Sequence, residues 1–100
     1  MKGRVIFLLR IKPGMNQAFL DAYEAVRHEV AEGVPGHIID QVCQSDTEDD
    51  SWVITSEWES LDQFYAWEKL QSHRDLAAPM RECMAEARSL KFVVKEETGH

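Results

Sequence analysis

From Arg4 to Lys12 the chain carries Val5, Ile6, Phe7, Leu8, Leu9 and Ile11, so both alternate sets of positions are apolar through the middle. That pattern predicts a central β-strand covered on both faces, stopped by Pro13-Gly14. The period then changes. Phe19, Tyr23, Val26 and Val30 recur at intervals of three and four residues. They predict an amphipathic helix over Met15 to Glu32, with Asn16, Asp21, Glu24, Arg27 and His28 on its wet side. Gly33-Val34-Pro35-Gly36 closes that helix. His37 to Ser45 predicts a strand with Ile39, Val42 and Cys43 inside it, and Asp46 to Asp50 a solvated acidic turn. Trp52 to Trp58 predicts the next strand, with Trp52, Ile54, Ser56 and Trp58 on one face and Val53, Thr55 and Glu57 on the other. The two strands and their short connection form a hairpin.

Ser60-Leu61-Asp62-Gln63 has the form of a capping box and starts a short helix carrying Leu61, Phe64, Tyr65 and Trp67. Ser72 offers a second, weaker cap. Leu76, Met80, Cys83 and Ala87 follow at helical spacing to about Arg88, with Pro79 expected to kink that run or to mark its first turns. Ser89 to Glu97 alternates as a last strand, and His100 falls in the tail. The order β-α-β-β-α-β is the ferredoxin-like, split βαβ arrangement in the α+β class, with one four-stranded antiparallel sheet. Helices on one face leave the other face bare. Because the first strand is apolar on both sides, the bare face calls for a partner, and a sheet-on-sheet homodimer is the simplest one.

Composition narrows the function. The 100 residues point to one domain over residues 1–100, with 44% hydrophobic and 29% charged residues. A formal net charge of -7 argues against nucleic acid or an anionic membrane as the main partner. No apolar run reaches the length of a membrane span, and the N-terminus has no secretory pattern, so the expected location is the cytoplasm. Cys43 and Cys83 fit neither a zinc nor a redox spacing and are expected to be buried free thiols. The acidic turn lacks well-spaced calcium ligands, and no metal site is expected.

The stretch from Trp52 to Arg74 brings together Ser56-Glu57-Trp58-Glu59-Ser60, Phe64, Trp67 and Ser72-His73-Arg74. With Pro13-Gly14 ahead of the first helix and Val34-Pro35-Gly36 ahead of the second strand, it resembles the antibiotic biosynthesis monooxygenase (ABM) family over about residues 4 to 96. The resemblance implies a dimeric α/β barrel with one pocket per protomer, between sheet and helices. It also implies an oxygenase that works on a hydroxylated aromatic and O₂ with no cofactor. Ionising such an aromatic makes it electron-rich enough to pass one electron to O₂, if the protein supplies a dry pocket, a base and groups that hold the anion. Two positions depart from the oxygenase pattern: Ile54 stands where those enzymes carry Asn, and Phe64 where they carry Tyr. The haem-degrading branch of the family fits poorly, since Ala77 stands at the place of the axial histidine and Phe7 at that of a strand-one Asn.

Among the candidate residues, His73 lies near a helix N-terminus, which disfavours its cationic form and suits a base. It competes with a solvent-facing or capping role. His37 is the alternative base and could face the pocket. Trp58 is expected to pack a flat substrate or donate its indole N–H, against a plain core role. Trp67, Phe64, Tyr23 and Met80 are expected to line the substrate pocket, with Leu76, Met84 and Phe19 as further apolar wall. Arg81 or Arg74 could meet an anionic oxygen, against an ordinary surface ion pair. Glu57 could reach the partner protomer or sit on the outer sheet face. The leading functional expectation is oxidation of a polycyclic phenol to a quinone in secondary metabolism. The alternatives are a polyketide cyclase on the same fold and a non-catalytic small-molecule-binding dimer, the latter kept open by Ile54 and Phe64.

Overall fold

The computed structural model describes residues 1–99, so His100 lies outside the described residues. The elements are β1 (Gly3–Ile11), α1 (Asn16–Ala31), β2 (His37–Gln44), β3 (Ser51–Trp58), α2 (Leu61–Glu68), α3 (Gln71–Glu82) and β4 (Met84–Val93). All strand pairs are antiparallel, and the sheet order is β2-β3-β1-β4. This is the α+β, ferredoxin-like arrangement, with β1 and β3 central as the two-sided apolarity of β1 requires.

Register sorts the side chains. Val5, Phe7, Leu9 and Ile11 of β1 and Trp52, Ile54, Ser56 and Trp58 of β3 face the helices; with Phe19 and Val26 of α1 and Phe64 of α2, they hold most of the buried core. The opposite face presents Ile6, Leu8, Val53, Leu90 and Phe92 with no helix over them; Leu8 is 40% and Phe92 50% exposed. Cys43 shares that face and is exposed, so only Cys83 keeps the burial expected of both thiols. Glu57 also points outward, where it meets Arg4 Nη2 at 3.4 Å.

The chain's punctuation is local chemistry. Gly33 follows the C-cap of α1 with φ +106°, a conformation that only glycine adopts without strain. Ser60 caps α2 by accepting from the Gln63 N–H at 3.4 Å. The third helix departs from expectation. It is capped at Leu70 with no side-chain bond rather than at Ser72, and Pro79 sits in its last turn. The helix stops at Glu82, so Met84 to Arg88 extend β4 instead of α3. The residues Met84-Ala85-Glu86-Ala87-Arg88 have strong helix propensity, but pairing along the whole of β1, with Ile11 opposite Met84 and Leu8 opposite Arg88, overrides it. Among the described residues no helix is long and apolar enough to cross a membrane.

Candidate functional site

The helices do not fill the space above the sheet. A cavity of about 450 Å³ remains, within the size range of small-molecule sites. Phe7 and Ile54 form its floor, Phe64 and Trp67 of α2 one wall, and Ala77 and Met80 of α3 another. Tyr23 and Asp40 close the α1–β2 side, and Arg74 and Arg81 stand at the α3 side with exposed side chains. Helical geometry explains the α3 wall. His73, Ala77 and Met80 repeat at four and three residues and are buried, whereas Leu76 is 39% exposed and contributes no wall. Phe19 is likewise absent from the lining, being fully buried against Trp52.

His73 is the cavity's most developed polar group. Its Nδ1 lies 2.9 Å from Glu29 Oε1, and both side chains are largely buried. Against an ionised carboxylate, which can only accept, Nδ1 carries the proton, and in the neutral ring Nε2 keeps its lone pair. No hydrogen bond engages Nε2 among the described residues. The ring stacks on Trp67 with centroids 3.8 Å apart, which fixes its plane. The arrangement of orienting carboxylate, imidazole and open acceptor nitrogen is that of a general base.

A second histidine–carboxylate pair lies beyond Tyr23. The Tyr23 hydroxyl donates to Asp40 Oδ2, and Asp40 Oδ1 lies 3.6 Å from His37 Nε2, too far for a hydrogen bond. His37 is buried, packs edge-on against Trp58, and lines the open groove between α1 and β2 rather than the cavity. Burial, the hydrogen bond to Asp40 and the Asp40 charge, in that order, push the Tyr23 hydroxyl pKa well above its ordinary value.

The structure thus brings His73, Trp67, Phe64, Tyr23, Met80 and Arg81 around one cavity. It leaves Trp58 and His37 outside that lining. Trp58 is 0% exposed and donates its indole N–H to Ser56 Oγ at 2.9 Å, so neither its face nor its donor is available to a ligand. Its ring is a support, within 5.2 Å of Trp67 and 5.5 Å of Phe64. Three carboxylates at the site escaped the sequence reading, one of them Glu68 of the cavity lining. Glu29 is three residues from the inward Val26, and Asp40 shares its strand parity with the inward Val42. An acid in phase with a buried stripe is the signal that could have found both.

Comparison with known proteins places this geometry. The chain is 45% identical over 95 residues to the 42.8 kDa protein in the whiE locus of Streptomyces coelicolor, covering 95% of this chain and 24% of that protein. It is 38% identical over 96 residues to the polyketide synthase CurD of Streptomyces cyaneus, covering 96% of this chain and 25% of that protein. The chain therefore spans about a quarter of the length of these curated relatives. In fold it matches SnoaB, a cofactor-independent oxygenase from Streptomyces nogalater, with a TM-score of 0.84 at 14% identity, covering 99% of this chain and 98% of that one. The sequence profile described as "Antibiotic biosynthesis monooxygenase" matches residues 3–79, and the chain belongs to that family.

Proposed function

We propose that this chain is a homodimeric oxygenase, independent of metal and organic cofactors, that oxidises a polycyclic phenol to a quinone in aromatic-polyketide biosynthesis. The observation that carries the reading is His73, held at Nδ1 by Glu29 with no hydrogen bond at Nε2 among the described residues, in the wall of a cavity floored by Phe7 and Ile54. Nε2 takes the phenolic proton, and the Glu29 carboxylate stabilises the imidazolium that forms. The phenolate passes one electron to O₂, and the radical pair combines into a carbon-bound peroxide. The ring C–H proton passes to the distal peroxide oxygen as the O–O bond breaks, which leaves a carbonyl and expels hydroxide. Hydroxide regains the proton from His73, so phenol and O₂ give quinone and water. The likeness to SnoaB supports the oxygenase class, and the name of CurD supports the polyketide setting. The bare apolar sheet face, with Ile6, Leu8, Leu90 and Phe92, supports the homodimer.

The test is oxygen uptake by metal-stripped, flavin-free protein given a dihydroxyanthrone. One O₂ consumed per quinone formed is expected. Anaerobic turnover of a linear polyketone would instead establish the cyclase. Binding of the anthrone without uptake would establish the binding protein, consistent with the apolar Ile54 and Phe64 in the lining.

A further inference from the structure

The chain has three tryptophans. Trp52 donates its indole N–H to Asn16 Oδ1 at 3.0 Å, and Trp58 donates to Ser56 Oγ at 2.9 Å. Trp67 is different. Its Nε1 is buried and has no partner among the described residues. Two other buried polar atoms share that condition, His37 Nε2 and Ser89 Oγ, but neither residue lines the cavity, whereas Trp67 does. Buried N–H groups are nearly always paired, because an orphan forfeits its hydration with nothing in return. An unpaired donor on a residue of the cavity wall is accounted for when the occupant of the cavity brings the acceptor.

The position of Trp67 specifies that occupant further. Its ring packs on His73 at a tilt of 36°, so the unpaired donor and the unbonded Nε2 sit on adjacent rings of the cavity wall. We infer that Trp67 Nε1–H holds a second oxygen of the substrate, and that the cavity selects aromatic compounds in which a carbonyl oxygen neighbours the hydroxyl facing His73. This inference rests on the proposed role of His73 and names the substrate class for it. It also assigns Trp67 a part in the chemistry. When the hydroxyl O–H bond breaks and its proton moves to Nε2, the electron pair delocalises onto the neighbouring carbonyl oxygen, where the indole donor is already in place.

The test needs no turnover. Protein labelled with ¹⁵N in its indole groups is titrated with an ortho-hydroxyacetylnaphthalene and, separately, with ethylnaphthalene, which has similar shape and no oxygen. The Trp67 cross-peak is assigned by its loss in Trp67→Phe. The expected result is a downfield move of the Trp67 indole proton with the hydroxyketone alone, with the Trp52 and Trp58 signals nearly still. Two net hydrogen bonds, to His73 and to Trp67, should make the hydroxyketone bind about 30-fold tighter than the hydrocarbon, and Trp67→Phe should cut that preference to about 5-fold, the share of His73. A preference that Trp67→Phe leaves unchanged, with a motionless Trp67 signal, would overturn the inference while leaving the cavity and His73 as proposed. Failure of both compounds to bind would remove the proposed function and this inference together.

Discussion

Two largely buried histidine–carboxylate pairs lie on the helix side of the sheet, each a histidine beside one acid, to different ends. In the His73 pair, Glu29 engages Nδ1 at 2.9 Å and the opposite nitrogen is open beside the cavity. In the His37 pair, Nε2 itself faces Asp40 at 3.6 Å, is buried, and lies off the cavity, while the second oxygen of Asp40 is taken by Tyr23. A general base needs one nitrogen held and the other presented to substrate. Only the first pair meets both conditions. The second lies within β2 and is tied to α1 through the Tyr23 hydroxyl. The difference teaches that the identity of a histidine and its acid matters less than which ring nitrogen the acid claims.

The largest expected effect comes from removing the support the two pairs share. Trp58 packs within 5.0 Å of His37 and 5.2 Å of Trp67, and Trp67 carries His73. Trp58→Ala should cost about 3–5 kcal/mol of stability, read from the shift in urea midpoint. A loss under ~1 kcal/mol would mean the aromatic chain is not the core's support. Next comes the direct contrast between the histidines. His73→Ala should lower oxygen uptake about 100-fold, the lower end of what a general base contributes. His37→Gln should stay within about threefold, because it touches no reacting atom. Equal losses would erase the distinction.

A finer cut is Glu29→Gln, which keeps a hydrogen bond and removes the charge opposite the imidazolium. It should slow uptake about 10-fold with little change in KM, since that charge acts only once the proton has moved. The smallest effect concerns Tyr23. Its hydroxyl ionises less readily in the fold than in the unfolded chain, whose value is about 10. The native state therefore holds the proton more tightly. The stability this contributes is complete below about pH 10 and drains away as pH rises from there toward the native value. Tyr23→Phe should flatten the alkaline limb of the stability–pH curve.

Much of this arrangement was legible in the chain. The alternation of Trp52, Ile54, Ser56 and Trp58 gave the inward face of β3, and Ser60 gave the start of α2, because both signals are local. The boundary between α3 and β4 was not legible, since Met84 to Arg88 form helices readily and become a strand only by pairing with β1 across the sheet. The site was half legible. His73 and Trp67 stood out by type and by resemblance. Trp58 stood out equally and proved to be covered, because strand parity tells which way a ring points and not what lies above it. Glu29 is 44 residues from His73, and their pairing depends on α1 packing beside α3.

The proposed role of His73 requires a substrate hydroxyl at Nε2. A crystal structure of the protein with an anthraquinone product analogue measures that position directly. A hydroxyl oxygen within about 2.6–3.2 Å of His73 Nε2, inside the cavity walled by Trp67 and Met80, is the predicted result. An analogue bound in the groove beside His37, or seated in the cavity with its hydroxyl turned away from His73, would contradict it.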